Sequence, residues 1–464
     1  MDEWEQTLGA GPLLGIAAAA IALILVLIIR FRVHAFLTLI LVSLLTALAT
    51  GVPLGAVVDV LTDGLGGTLG AVALLIALGA MLGKLIEHSG GAKVLAESLV
   101  DRFGEQRAVL GLSLASLLIG FPIFFDAGLV LMLPIIFAVA RRVDGGRNVL
   151  LYGIPAAAAF SVMHVFLPPH PGPVAATDQF DANLGLVLLI GLIIVLPVWW
   201  LAGYLWGTWI GRRIVHPVPA LFGTVDDDQP TDPPRLGTVV LLLALPILLI
   251  LGNTGLDALA QVGVVDADAG WVQFLSILGS SGIALLIGVF VAMIVLGSRR
   301  GTDKNAMEKL LESSLGPISS VVLITGAGGM FGGVLRASGI GDALADALDA
   351  VGLPVIVAAY VIAVVLRVAQ GSATVALVTS AGLVAPAVLA GGFNSVEVAC
   401  IVLATAAGSV FAGHVNDSGF WLVGRLMGLD VATTLKTWTV QQTIQSVVGF
   451  AAVLPIFLLA GAVG

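Results

Sequence analysis

Four short polar clusters interrupt stretches of this chain that are otherwise apolar. The first is Gly120-Phe121-Pro122-Ile123-Phe124-Phe125-Asp126; the second holds His164 and then Pro168-Pro169-His170-Pro171-Gly172. The third is Arg367-Val368-Ala369-Gln370-Gly371-Ser372-Ala373-Thr374, and the fourth His414-Val415-Asn416-Asp417-Ser418-Gly419. Ionisable residues inside a bilayer are costly and mark substrate or ion pathways. A guanidinium offers a planar fork of donors that fits a carboxylate, so Arg367 suits an acidic substrate; it equally suits an ion pair with Asp126 or Asp417. Gln370, Ser372, Thr374, Asn416 and Ser418 carry the amide and hydroxyl groups that a polyhydroxylated ligand needs. Gly371 lets a ligand approach the backbone. The plain alternative for the serines and threonines is helix capping.

The same clusters hold groups able to move a proton. Asp126 is flanked by Phe124 and Phe125, and partial desolvation disfavours the charged form of a carboxylate. Its competing role is that of a helix N-cap. Histidine titrates in the range that proton coupling requires, so His164 and His414, each just before a break, join Asp126 as proton carriers. Pro168, Pro169, Pro171 and Pro173 cannot continue a helix. New helix N-termini at these breaks would turn N–H groups and a positive dipole end toward an anion. His170, Gly172 and Asp417 complete the substrate-binding set on that ground.

The elements that position these residues are membrane helices. Of the 464 residues 59% are hydrophobic and 11% charged, and the mean hydropathy is +1.10. Soluble chains carry about 25% charged residues. Apolar stretches of spanning length fall near 11–29, 34–50, 69–86, 149–163 and 184–210, then near 236–251, 275–297, 318–335, 397–413 and 439–461. Two further stretches, near 107–140 and 354–390, break in the middle at the first and third clusters. Each arm is shorter than the roughly 20 residues of a full span. They read as re-entrant hairpins, with pairs of short spans as the alternative. The start, Met1-Asp2-Glu3-Trp4-Glu5, lacks the basic segment of a cleaved signal peptide.

The two halves repeat one another. Met81-Leu82-Gly83 to Ser89-Gly90 matches Met330-Phe331-Gly332 to Ser338-Gly339 at a spacing of 249 residues, and Ala156-Ala157…His164-Val165 matches Ala406-Ala407…His414-Val415 at 250. Repeats with interrupted helices are the mark of a secondary transporter whose site lies at the interruptions. Charge sets the orientation. With Met1 outside, the loops assigned to the cytoplasm hold every Lys and Arg of the 20 except Arg336 and Arg367, as the positive-inside rule demands. Asp59, Asp63, Asp178, Asp181, Asp257, Asp266 and Asp268 fall outside. Five crossings per half is an odd number, so the second half enters the membrane upside down. The expected fold is an all-α polytopic membrane protein of two inverted-topology repeats, each with five crossings, a re-entrant hairpin and a broken helix. Residues 1–216 form the first repeat, 217–235 a polar, Pro-rich cytoplasmic linker, and 236–464 the second. Ala92 to Phe103 and Gly341 to Val351 are matched amphipathic segments, either interfacial helices or helical loops.

Other chemistries lack their signals. There is no GxxxxGK[ST] phosphate loop and no Cys/His cluster for zinc, so neither cofactor nor metal is expected. The net charge of −9 and the lack of a basic stripe argue against nucleic acid. Gly326 to Gly333 lies in an apolar span and reads as a close-packing face. A channel would call for rings of like side chains, and a membrane enzyme for a nucleophile motif.

Gly120-Phe-Pro-Ile-Phe-Phe-Asp-Ala-Gly128, His164-Val-Phe-Leu-Pro-Pro-His-Pro-Gly-Pro173, Arg367-Val-Ala-Gln-Gly-Ser-Ala-Thr374 and His414-Val-Asn-Asp-Ser-Gly-Phe-Trp421 resemble the motifs of the gluconate permease family. The likeness runs through both halves. It implies an inner-membrane importer of gluconate or a related sugar acid by proton symport, within a superfamily of inverted-repeat elevator carriers. Where the family's first hairpin often has Glu, this chain has Asp126. Some family members prefer other small hydroxy or amino acids. The resemblance thus leaves a carrier of D-serine or glycerate, or sodium coupling, as the alternative. The expected partners are a small anionic substrate, a proton, the lipid bilayer and a second copy of the chain.

Overall fold

The computed structural model describes residues 6–219, 233–261, 264–340, 343, 353–414 and 417–463. Most of the expected linker, most of Gly341 to Val351, and Asn416 lie outside the described residues, as does the side chain of Gln370. Among the described residues every regular element is helical. Eight helical stretches there are long and apolar enough to cross a membrane, and shorter apolar helices accompany them.

In the first half α1 is Ala10–Leu25, α2 Ala35–Ala49, α3 Leu54–His88 and α4 Gly91–Phe103. The first hairpin follows as α5, Ala108–Ile119, and α6, Phe125–Asp144. The broken helix is α7, Val149–Phe166, and α8, Pro171–Gln179; α9, Leu184–Val198, then runs through a π-helical stretch, Trp199–Leu205, into α10, Trp206–Arg213. The second half has α11, Leu236–Gln261; α12, Gly270–Gly279; α13, Ser281–Ala292; α14, Lys304–Ser313; and α15, Gly316–Ala337. The second hairpin is α16, Val355–Gln370, and α17, Ala373–Ala390. The second broken helix is α18, Ser395–Gly408, and α19, Ser418–Leu426. Last come α20, Val431–Thr434, a π-helical stretch, Leu435–Thr439, and α21, Val440–Val463.

Corresponding elements make corresponding contacts. The first arm of each hairpin packs on the first part of its own broken helix, α5 on α7 and α16 on α18. The second arm of each packs on the second part of the other half's broken helix, α17 on α8 and α6 on α19. The matched helices α3 and α15 lie against each other. Glycine permits that approach: a Cβ on Gly64 would stand 2.9 Å from the Gly329 carbonyl oxygen, and one on Gly333 would meet Gly64 at 3.2 Å. Gly332 sits equally close to Gly382 of α17. The glycine run at 326–333 is therefore a packing face, of the kind that small residues give membrane helices.

Several boundaries differ from the hydropathy reading. The helix expected near 69–86 begins at Leu54, directly after Pro53. No proline falls between 54 and 68 and the helix runs through the glycines there, so Asp59 and Asp63 lie on α3 rather than in a loop. Asp257 likewise lies on α11, and Asp178 on α8. The run at 275–297 divides at Ser280, whose extended backbone starts α13. The Ala92–Phe103 segment is helical as α4, with Ala92, Leu95, Ala96 and Val100 buried against α5 and α11. At one end of the molecule Gln6 Nε2 donates to the carbonyls of Thr50, 3.1 Å, and Ser338, 2.8 Å. That groups the chain start with the ends of α2 and α15.

Candidate functional site

Both hairpin tips and both helix breaks face a cavity of about 290 Å³, bordered by Phe124 to Ala127, His164, Arg367, Ser372 to Val375 and Asp417 to Gly419. Small-molecule sites typically span about 300–1,000 Å³, so this one suits a compact solute. Ser161 of α7, Pro171 of α8, and Trp438 and Gln442 of the last helical stretch close its walls.

Arg367 is a buried residue, 2% exposed, in the last turn of α16. Its Nη2 donates to Asp417 Oδ2 at 2.6 Å, and its Nη1 donates to the Gly371 carbonyl. The guanidinium Nε has no partner among the described residues. Gly371, with φ +85°, makes the turn that folds its carbonyl back toward the arginine. Left-handed backbone costs a residue with a Cβ about 1–2 kcal/mol, which is why glycine serves here. Asp417 also caps α19, its Oδ1 accepting from Gly419 N at 3.0 Å. Gly413 leaves room for the pair, since a Cβ there would press on both Arg367 Nη2 and Asp417 Oδ2.

Asp126 stands in the first turn of α6, while the N-cap is Phe124, with no side-chain capping bond. The capping role is thus excluded, and the carboxylate is exposed to the cavity. The first N–H groups of α6 have no helical partner, and the residues that carry them, Phe125 to Ala127, border the cavity. The α17 N-terminus differs, because Ser372 Oγ accepts from Val375 N at 3.3 Å while lining the cavity.

Behind His164 lies His170, 2% exposed. Their Nδ1 atoms are 3.2 Å apart, and His170 Nε2 is 2.8 Å from the Gly120 carbonyl at the end of α5. Phe124 meets both rings edge-on, with centroids at 5.9 and 5.7 Å. His170 therefore stands in a second layer rather than on the cavity wall. Gly172 is also displaced from the wall: a Cβ there would stand 2.9 Å from Leu377, so it seats α8 on α17. His164 and His414 are not equivalent. His164 lies within the last turn of α7, whereas α18 stops at Gly408, leaving His414 in a non-helical stretch. There its carbonyl accepts from Asp417 N at 2.8 Å, and it is not among the residues bordering the cavity. Ala412 adopts φ +49° in this stretch, which turns the backbone out of the helical path.

Of the residues singled out in the sequence, the cavity gathers Arg367, Ser372, Thr374, Asp417, Ser418, Asp126 and His164. Three wall residues with polar or aromatic side chains were not anticipated: Ser161, Trp438 and Gln442. Gln442 Nε2 donates to Ser161 Oγ at 2.9 Å and to Gln441 Oε1 at 2.6 Å, and Gln441 Nε2 donates to Gln445 Oε1 at 3.0 Å. Trp438 stacks on Phe125, with centroids at 5.5 Å. Three buried glutamines in an apolar span are themselves a signal.

A family model described as GntP family permease matches residues 12–460. Among individual relatives, the gluconate permease of Bacillus subtilis is 40% identical over 457 residues, covering 97% of this chain and 100% of the relative. The inner membrane permease YgbN of Escherichia coli is 39% identical over 449 residues, covering 94% and 97%. The Gnt-II system L-idonate transporter of Escherichia coli is 37% identical over 441 residues, covering 95% and 98%. Among solved structures, the YdaH transporter of Alcanivorax borkumensis matches with a TM-score of 0.64 at 17% identity, covering 93% of this chain and 99% of that one. That likeness concerns the fold alone. Matched over nearly its whole length, and folded around a cavity where two hairpins and two broken helices meet, this chain belongs to the GntP family of permeases: it is a multi-pass membrane transporter and not an enzyme.

Proposed function

We propose that the protein imports gluconate or a closely related sugar acid across the inner membrane by proton symport. The observation that carries this reading is the cavity itself, in which a buried guanidinium stands among hydroxyl and amide side chains. The Arg367 guanidinium on the cavity wall and the uncapped start of α6, with its backbone N–H groups, together suit a carboxylate. Ser372, Thr374, Ser418 and Gln442 suit the hydroxyls of the carbon chain. Asp126 carries the coupling proton. When ionised it sets a negative charge beside the anion site, and when neutral it removes that repulsion, so proton and anion favour each other's binding.

In this reading residues 1–216 and 236–464 are inverted repeats joined by the 217–235 linker, both termini face outward, and the hairpins with the broken helices move as an elevator against a frame containing α3 and α15. A second copy of the chain completes a homodimer through that frame. The names of the relatives, gluconate permease and L-idonate transporter, favour a sugar acid over D-serine or glycerate.

Uptake of labelled gluconate into proteoliposomes tests the proposal. Accumulation is expected with an inward proton gradient and not with a sodium gradient alone. Accumulation that follows sodium, or uptake that no gradient accelerates, would overturn the coupling.

A further inference from the structure

We propose that His170 is a positioning residue that holds His164 in one tautomer, so that His164 Nε2 accepts a hydrogen bond from a substrate hydroxyl. Only the identity of the ligand rests on the function proposed above. The tautomer follows from the geometry.

The chain of contacts begins at a group with no choice. The Gly120 carbonyl can only accept, so at 2.8 Å His170 Nε2 must carry its hydrogen. A neutral imidazole has one N–H, which makes His170 Nδ1 an acceptor. His164 Nδ1, 3.2 Å away, must then be the donor. In neutral His164 the remaining nitrogen, Nε2, is left with a lone pair. His164 borders the cavity and its Nδ1 is already used, so Nε2 is the atom it has to offer. The facing Nδ1 atoms share a single hydrogen: two would clash and none would leave both lone pairs opposed.

The neighbouring side chains explain what this acceptor is for. Arg367 and the start of α6 are donors, suited to the carboxylate end of a ligand. An acceptor is what a hydroxyl proton needs, and a ligand with none would leave the lone pair unmet. A site built to bond a hydroxyl discriminates against an analogue that lacks it. The pair therefore selects hydroxylated acids over plain carboxylates of the same length. It does so because the Gly120 carbonyl after α5 and His170 before α8 fix the ring, though neither residue borders the cavity.

The tautomer is readable in the unaltered protein. Solid-state NMR of histidine-¹⁵N-labelled protein in lipid should show one correlated pair of Nδ1 sites, that of His164 protonated and that of His170 not, with the Nε2 of His164 unprotonated and the Nε2 of His170 protonated. A pair in which the protonated Nδ1 belongs to the ring whose Nε2 is also protonated at neutral pH, or no such pair, overturns the inference. The transport arm compares gluconate with its single-deoxy analogues as competitors. One analogue should bind about tenfold more weakly to the parent, the worth of one hydrogen bond. His170→Asn, whose Oδ1 still accepts from His164 Nδ1, should keep that difference. His170→Leu, which frees the tautomer, should abolish it. An equal difference in both variants overturns the positioning role. The NMR result stands or falls without transport, so a protein that does not carry gluconate but shows the expected pair refutes the substrate alone.

Discussion

Arg367 and Asp417 lie 50 positions apart in the chain and form a 2.6 Å ion pair that ties the second hairpin to the second broken helix. The Arg367 side chain is 1% exposed and that of Asp417 10%. Each partner also bonds the backbone of its own turn, Arg367 at Gly371 and Asp417 at Gly419. The pair is thus a joint between two interrupted elements as well as a wall of the cavity, and substitutions at its two ends should have different consequences.

Asp417→Ala leaves a buried guanidinium without its counter-charge and removes a helix cap. Breaking a buried pair in this way costs about 3–5 kcal/mol. The expected outcome is a clear fall in the apparent melting temperature of the purified protein. Arg367→Gln combined with Asp417→Asn should recover part of it, because no unpaired charge remains. An Asp417→Ala protein as stable as the parent would show that the pair does not hold the elements together.

Arg367→Lys keeps the charge and loses the fork. If the guanidinium holds the substrate carboxylate, one charged hydrogen bond is lost, about 1.5–3 kcal/mol, or tenfold or more in affinity. Calorimetry with gluconate on the purified protein measures it. Unchanged affinity in Arg367→Lys would remove the arginine from the binding site and leave it a structural partner of Asp417.

Gly413→Ala tests the same joint through shape. The added Cβ would press on both members of the pair, so stability and gluconate affinity should fall together. Gly252→Ala is the control: its Cβ would meet nothing within 4 Å, and Gly to Ala within a helix stabilises by roughly 0.5–1 kcal/mol. Equal effects of the two substitutions would contradict the packing.

Much of this site was legible in the sequence because charge and proline are conspicuous in apolar surroundings. Asp126, Arg367, His164 and Asp417 announced themselves in that way. The partner of Arg367 did not, since local sequence carries no information about which of two distant carboxylates the fold will deliver. The matching of His164 with His414 failed for a backbone reason: α18 ends at Gly408 and the chain turns at Ala412, where hydropathy shows only continued apolar residues. Ser161, Trp438 and Gln442 were missed because they sit within continuous helical stretches, with no break in the helix to mark them. The start of α3 was misplaced because hydropathy marks where a helix enters lipid, not where it begins.

Topology can be read with single cysteines. In a Cys400→Ala background, which removes the buried native thiol, cysteines replace the exposed Thr7 or Thr231 of the linker. An impermeant thiol reagent added to intact cells should label the first and spare the second. Equal labelling would refute the inverted arrangement, since an odd number of crossings must separate the two.

Asp126→Asn separates binding from coupling. The side chain lies in the first turn of α6, exposed to the cavity and not used as a cap. Asparagine holds that position neutral, as the proton-loaded carboxyl is, and keeps nearly the same shape. The anion site beside it should therefore remain intact, and gluconate should bind with affinity at least equal to the parent's and with a flatter pH dependence. A carrier without a titrating group can exchange substrate but has no means of drawing on the proton gradient. Proteoliposomes with Asp126→Asn are expected to exchange labelled for unlabelled gluconate and to fail to concentrate it. Accumulation under a proton gradient would shift the coupling proton to His164, the other proton carrier anticipated from the sequence that borders the cavity, and leave Asp126 a neighbour of the anion site without a part in the energetics.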